Sequence, residues 1–186
     1  MGLRVIGGDL KKKKLRSVSG MAVRPTADRL RESIFNVIAA TVSGAMVLDL
    51  FAGTGALGIE ALSRGAAFAV FIDNYGKSLK VISENIHTCL LHEKAKLIKW
   101  NAAKNLNCLQ SFPRAFNTVF IDPPYNQNLI KPVLSHLQES RCLADGATII
   151  IEHSFLETIP RNIPAFMLID QRRYGKTLVS FLSYVV

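Results

Sequence analysis

The residues with the clearest chemical potential are Asp122-Pro123-Pro124-Tyr125, directly after the apolar run Val119–Ile121. A buried strand that ends in a carboxylate delivers a hydrogen-bond acceptor to the edge of a sheet. Each proline that follows fixes its own φ, restricts the residue before it and removes a backbone donor. The loop is therefore rigid, and it holds the Asp122 carboxylate and the Pro123 carbonyl in place as acceptors. Tyr125 sets an aromatic face beside them. Without further context the same residues could simply end a strand and plug a rim.

A second chemical stretch, VLDLFAGTGALGIEAL, places Asp49 at the end of an apolar run and Gly53, Gly55 and Gly58 in the turn that follows. Gly53-x-Gly55-x-x-Gly58 fits the dinucleotide fingerprint literally. Two acids point away from a nicotinamide cofactor. Asp49 would gain nothing beside a pyrophosphate and suits a ligand carrying a cation, such as the amino group of a methionine moiety. Asp73 ends the next apolar run, where it can accept bonds from both hydroxyls of a ribose.

The elements that must position these residues alternate. Strands are expected at Met46–Leu50, Ala67–Ile72, Ala95–Lys99, Thr118–Ile121, Ala147–Ile151, Phe166–Asp170 and Thr177–Val185. Helical patterns lie between the first five, at Ala56–Arg64, Lys77–Leu91 and Leu129–Glu139. Such alternation requires a parallel sheet covered on both faces by helices. The last two strands leave no room for a helix, so an antiparallel pair should close the sheet. Ahead of this α/β unit, Arg4–Ile6 and Leu15–Val18 are expected to form a hairpin, and Asp28–Ala40 a helix. Residues 1–43 are thus read as an extension packed on a core of residues 44–186, within one structural domain.

Composition bounds the function. The 186 residues are 49% hydrophobic with a mean hydropathy of +0.22, which suits one folded domain. No apolar run approaches the roughly 18 residues of a membrane span, and neither a secretory nor a myristoylation signal is expected. Cys89, Cys108 and Cys142 form no CxxC and read as reduced core thiols of a cytoplasmic protein. His87 and His92 flank Cys89 without a second ligand cluster, so no metal is expected. The net charge of +9 is uneven: residues up to Arg31 carry nine basic groups against two acids, a net +7, and the remaining 155 residues carry +2. A basic extension on a nearly neutral body suggests a polyanion partner held through Lys11, Lys12, Lys13, Lys14, Arg16, Arg24, Arg29 and Arg31. The alternative for the lysine run is a solvated loop.

Read together, Asp49-x-Phe51-Ala52-Gly53-x-Gly55, Asp73 and Asp122-Pro123-Pro124-Tyr125 resemble class I S-adenosylmethionine-dependent methyltransferases that modify exocyclic amino groups. RVIGG (Arg4–Gly8) and RPTADRLRESIFN (Arg24–Asn36) resemble, more narrowly, the bacterial 16S rRNA guanine-N2 methyltransferase family, and the similarity runs to YGKTLVSFLSY (Tyr174–Tyr184). The resemblance implies a Rossmann-like fold with a mostly parallel seven-stranded sheet, and S-adenosyl-L-methionine as cofactor with S-adenosyl-L-homocysteine as product. It implies cofactor contacts from Asp49 at the methionine end, Phe51, Ala52, Gly53, Thr54, Gly55 and Gly58 in the loop, Asp73 and Asn74 at the ribose, and Asn101-Ala102 beside the adenine. The Arg24–Arg31 region would pack over the methionine-side pocket. Two departures stand out: Asn101 occupies a position where many relatives have Asp, and the hairpin tip is all lysine.

On that resemblance the catalytic loop is Asp122, Pro123, Pro124 and Tyr125. An exocyclic amine is a poor nucleophile because its lone pair is delocalised into the ring. Two acceptors holding its hydrogens favour a geometry in which the lone pair points at the methyl donor. An ordinary Asp titrates near 4, too low to deprotonate the amine beforehand, so the proton leaves late. Tyr125 offers a face for the extruded base, worth about 1–3 kcal/mol against the few kcal/mol that extrusion costs. The partner that the resemblance implies is 16S rRNA, in an assembling or assembled small subunit, and a monomer is expected. Adenine N6, a protein glutamine, or a non-catalytic RNA-binding assembly role remain as alternatives, because nothing local separates guanine from adenine.

Overall fold

A computed structural model describes residues 2–18, 26–113, 115–160 and 163–185. The elements run α1 (Thr26–Val37), β1 (Met46–Leu50), α2 (Ala56–Ser63), β2 (Phe68–Asp73), α3 (Gly76–Thr88), β3 (Ala95–Lys99), β4 (Phe116–Ile121), α4 (Ile130–Ser140), β5 (Leu143–Ser154), β6 (Phe166–Tyr174) and β7 (Thr177–Tyr184). The seven strands form one sheet in the order β3-β2-β1-β4-β5-β7-β6. β1 to β5 pair in parallel, and β7 inserts antiparallel between β5 and β6.

The central strands are apolar on both sides because both sheet faces are covered. Val47, Ala69, Phe71 and Phe120 point into one cluster, with Ile34 and Phe35 of α1, Ile59 of α2 and Ile82 of α3. Leu48, Leu50, Val70, Ile72, Val119 and Ile121 point into the other, with Val133, Leu134 and Leu137 of α4. The period of two along each strand therefore sorts its residues between two cores. Between β3 and β4 the described chain makes only a 3-10 turn, Asn107–Leu109, whose Leu109 fills the second core. β5 starts at Leu143 rather than the expected Ala147, because Phe116 already pairs with Leu143 and the register shift before Thr118 absorbs the intervening residues.

The N-terminal extension departs most from expectation. Its hairpin is a single antiparallel bridge, Arg4 with Lys14, flanked by Leu15 N–H to Leu3 O and Val5 N–H to Lys13 O, both at 2.9 Å. The ladder stops there because the next backbone donors turn to a side chain. Ile6 and Gly7 each donate to the Glu60 carboxylate at 2.7 Å. Glu60 lies in α2, is fully buried, and also accepts from Arg64 Nε at 2.8 Å. Ser63, one turn on, accepts from Leu10 N–H at 2.9 Å and donates to Gly7 O at 2.6 Å. Contact is so close that a Cβ on Gly8 would lie 1.8 Å from Ser63 O, at a φ of +72° that already favours glycine.

Arg31 is corrected by this arrangement. Expected at RNA phosphates, it is only 4% exposed. Its guanidinium donates to Arg4 O at 2.5 Å and Asp28 Oδ1 at 3.1 Å, and lies 3.7 Å from Glu60. Its charge closes a buried network around Glu60 instead of meeting solvent. Arg24 lies outside the described residues.

Removing one partner of a buried ion pair leaves the other uncompensated, at a cost of about 3–5 kcal/mol. Glu60→Ala should therefore lower unfolding free energy by about that amount in urea. Under native conditions it should also speed tryptic cleavage at Lys11–Lys14. A loss under about 1 kcal/mol with unchanged cleavage would show that the apolar contacts alone hold the extension.

Candidate active site

The strand order reverses on either side of β1, and in open α/β sheets ligands bind at such a switch point, outside the carboxyl ends of the strands. Parallel pairing brings those ends to one edge. Along it lie Asn101-Ala102 beyond β3, Asp73-Asn74 at β2, Asp49 and the glycine loop at β1, Asp122–Tyr125 beyond β4, and Glu152 in β5. The sites expected from separate stretches of sequence are thus neighbours on one rim.

Asp49 is 1% exposed and accepts the Gly58 N–H at 3.0 Å. Burial pushes its carboxyl up to about 8, and nearby Asp73 adds to the shift while the Gly58 bond opposes it. Gly58 is needed for packing: a Cβ there would lie 2.3 Å from the Phe71 ring. Asp73 organises the loop, accepting Gly53 N–H through Oδ2 and Tyr75 N–H through Oδ1, each at 2.8 Å. Phe51 leaves β1 at a φ of 58°, a costly value for a non-glycine residue, and so turns the chain sharply into the loop. Ala52 is buried, and its N–H reaches Ile72 O at 3.1 Å. Thr54 O accepts from Asn85 Nδ2 at 2.9 Å, and Asn85 also holds Arg16 backbone groups of the extension. Asn74 is exposed. Asn101 folds back through Oδ1 onto Ala103 N–H at 3.0 Å, and Ala102 is buried.

Asp122 differs from Asp49 in being exposed, with Pro123 buried and Pro124 exposed behind it. Although the residue as a whole is exposed, desolvation of its carboxyl raises it well above the ordinary range, and Glu152 and then Asp49 add to the shift. Tyr125 is half-buried, and its hydroxyl donates to Glu152 Oε1 at 2.7 Å and lies 3.3 Å from Thr177 Oγ1. Burial and Glu152 push that hydroxyl further up, so it stays a neutral donor. Sequence reasoning missed Glu152 and Thr177. Glu152 follows the apolar run Ile149–Ile151 just as Asp122 follows Val119–Ile121, and that pattern was the available signal.

Among the described residues none of Asp49, Asp73 and Asp122 forms a salt bridge. Acids gathered without a cation, one of them buried and raised to about 8, fit a ligand that brings positive charge. No group of three described His, Cys, Asp or Glu residues could hold a metal ion. Of the basic residues proposed for a polyanion, Lys11–Lys14, Arg16 and Arg29 are exposed, and Arg16 pairs with Glu84 at 3.1 Å.

The profile of the family described as "Conserved hypothetical protein 95" matches residues 3–183. The chain belongs to that family. It is 37% identical over 163 residues to the Escherichia coli K12 protein named "Ribosomal RNA small subunit methyltransferase D", covering 86% of this chain and 80% of that protein. It is 35% identical over 178 residues to YlbH of Bacillus subtilis, covering 96% and 97%. The solved structure of yhhF from Escherichia coli superposes with a TM-score of 0.87 at 33% identity, covering 98% of both chains. The fold is that of the class I methyltransferases, with its antiparallel C-terminal strands.

The raised acids predict how stability depends on pH. An unfolded Asp titrates near 4, whereas Asp49 in the fold titrates at about 8. Between these values the folded, ligand-free protein binds protons that the unfolded chain lacks, so stability falls as pH rises. Asp122, shifted in the same direction, adds to the slope. Ligand-free melting temperature should therefore decline from pH 5 to pH 8, and Asp49→Asn should flatten the decline. A melting temperature that rises over this interval would show that neither carboxyl holds a proton in the fold.

Proposed function

We propose that the protein transfers a methyl group from S-adenosylmethionine to the exocyclic N2 amine of a guanine in 16S ribosomal RNA. The observation that carries this reading is the exposed Asp122 at the switch-point edge, backed by rigid prolines and set beside an anchored aromatic ring. Kinship over most of the chain with a protein named as a small-subunit rRNA methyltransferase supports RNA as the substrate.

When bound, S-adenosylmethionine supplies a methyl group on a positively charged sulfur. Asp49 ionises against the ligand ammonium, and Asp73 faces the ribose hydroxyls through acceptor capacity beyond its two loop bonds. The loop Phe51–Gly55 cradles the ligand, with Asn74 and Asn101-Ala102 toward its ribose and adenine. Asp122 and the Pro123 carbonyl accept the two amine hydrogens, which leaves the nitrogen lone pair directed away from both. As the nitrogen gains its carbon it becomes positive and must lose a proton, which passes to Asp122 Oδ, ionised beside the cationic ligand, and on to water. A carboxyl raised above the ordinary range is a stronger base than the sequence alone suggested. Tyr125 stacks on the base, and its bonded hydroxyl keeps the ring from swinging. Lys11–Lys14, Arg16 and Arg29 hold phosphates of the RNA within the small subunit. The protein works as a monomer in the cytoplasm. No helix among the described residues is long and apolar enough to cross a membrane.

Nucleoside mass spectrometry of 16S RNA, with and without the protein, should show N2-methylguanosine only with it. Only N6-methyladenosine, or a methylated protein, would replace the reading. Asp122→Ala should abolish turnover while leaving S-adenosylhomocysteine affinity within a few-fold; near-normal methylation would sink the mechanism.

Replacing Lys11, Lys12, Lys13 and Lys14 with Ala should reduce the slope of log K for RNA against log salt by about 1–3. Cofactor affinity should not change. An unchanged slope and affinity would make the run a solvated loop.

A further inference from the structure

β5 carries a carboxylate to which the mechanism above gives no chemical task. Ile121 of β4 pairs with Ile151 of β5, so the next residues, Asp122 and Glu152, emerge side by side at the carboxyl edge. Neighbouring strands lie about 4.8 Å apart. Glu152 is close enough to disturb the Asp122 carboxyl, and it accepts the Tyr125 hydroxyl bond at 2.7 Å. It therefore bonds one of the side chains assigned to the target base and stands beside the other.

Two carboxylates in a row read more than an amine. Guanine presents its N2 amine beside N1–H, two donors on one edge. Adenine presents its N6 amine beside the bare lone pair of N1. Asp122 alone meets an amine in either case. Resting on the guanine-N2 reading, we infer that Glu152 accepts N1–H of the target guanine while Asp122 holds its N2 amine, and that this pair selects guanine over adenine. A Glu152 acceptor oxygen opposite the adenine N1 sets acceptor against acceptor and leaves both without a hydrogen. A carboxylate offers about four acceptor sites, so the bond from Tyr125 is compatible with one from the base. That bond also fixes the Glu152 rotamer, so the reading group is preset before the base arrives. Thr177, 3.3 Å from the same hydroxyl, braces it from β7.

The test uses 16S RNA with either guanosine or 2-aminopurine ribonucleoside at the methylated position. The analogue keeps the N2 amine but lacks N1–H. The wild-type protein should methylate it with a kcat/KM about 10- to 100-fold below that for guanosine. Glu152→Gln should lose a comparable factor on guanosine and narrow or invert the ratio, because its amide N–H can face the bare N1. Binding of the two RNAs in competition, with S-adenosylhomocysteine present and no turnover, should shift the same way. Glu152→Ala should also narrow the ratio, and S-adenosylhomocysteine affinity within a few-fold of wild type checks that each variant is folded.

An unchanged ratio in both variants, whatever the rates, would show that Glu152 acts only through Tyr125, and the inference falls. Equal use of the two RNAs by the wild type would also overturn it. If the wild type makes no N2-methylguanosine at all, the functional reading fails first, and the ratio is never reached.

Discussion

Parallel pairing of five consecutive strands is the constraint from which the rest of the molecule follows. It brings every carboxyl end to one edge, so residues 49, 73, 122 and 152 need no special folding to meet. It also obliges both faces to be covered, which is why the central strands carry near-continuous apolar runs such as Phe68–Ile72 and Val119–Ile121. A polar side chain within such a strand would be buried without water, whereas one at the end reaches the rim. The acids that could do chemistry and the acids that the fold can tolerate are thus the same ones. β7 spoils the symmetry usefully: running antiparallel beside β5, it lends Thr177 to the Tyr125 hydroxyl at the same edge.

A second constraint ties the extension to this edge. Glu60 is surrounded by Ile6 and Gly7 backbone donors, Arg64, and Arg31. It lies in the helix that begins at the glycine loop, so the group that anchors the extension also fixes that helix. Asn85 makes a parallel link, bonding Arg16 of the extension and Thr54 of the loop. The extension is therefore mechanically coupled to the loop and is not a tail attached to the outside. Leu3, Val5 and Leu15 share one core with Phe71 and Phe120, and no break in packing falls near residue 43.

Much of this was legible in the sequence, for physical reasons that also explain the gaps. Asp73 and Asp122 each end an apolar run and precede a turn-former or a proline, and Asp49 stands one residue before the end of its strand, just ahead of the glycine loop, so the sequence alone marks these strand ends. Glu152 ends a similar run, but His153 and Ser154 continue the strand instead of breaking it. His153 is tolerated there because Ser180 of β7 lies 2.8 Å from its ring nitrogen, a long-range partner that no local window contains. Glu60, flanked by Ile59 and Ala61, reads as a solvent position on α2; its burial is decided by residues 53 and 54 positions away. The same non-local network took Arg31 out of the basic patch. Counting charges gives the sign of the extension correctly but cannot say which arginines fold back.

Charge is divided sharply between extension and rim, and that division has a consequence for binding. The extension carries a net +7, with its lysines exposed, whereas the rim is lined by Asp49, Asp73, Asp122 and Glu152. With screening over about 8–10 Å at ordinary salt, a polyanion is drawn to the first and gains nothing from the second. On the proposed reading this is a filter. Phosphates settle on the extension and stay out of the rim, so the only part of the RNA free to enter is a neutral base turned out of its stack. The cationic cofactor obeys the opposite rule: it is attracted to the acids and gains nothing from the lysines. Because Asp49 ionises only as the ligand ammonium arrives, the two charges offset each other and the barrier to the base does not rise. Cofactor and RNA should then occupy their two sites without electrostatic conflict, the cation offset by Asp49 and the phosphates held on the extension.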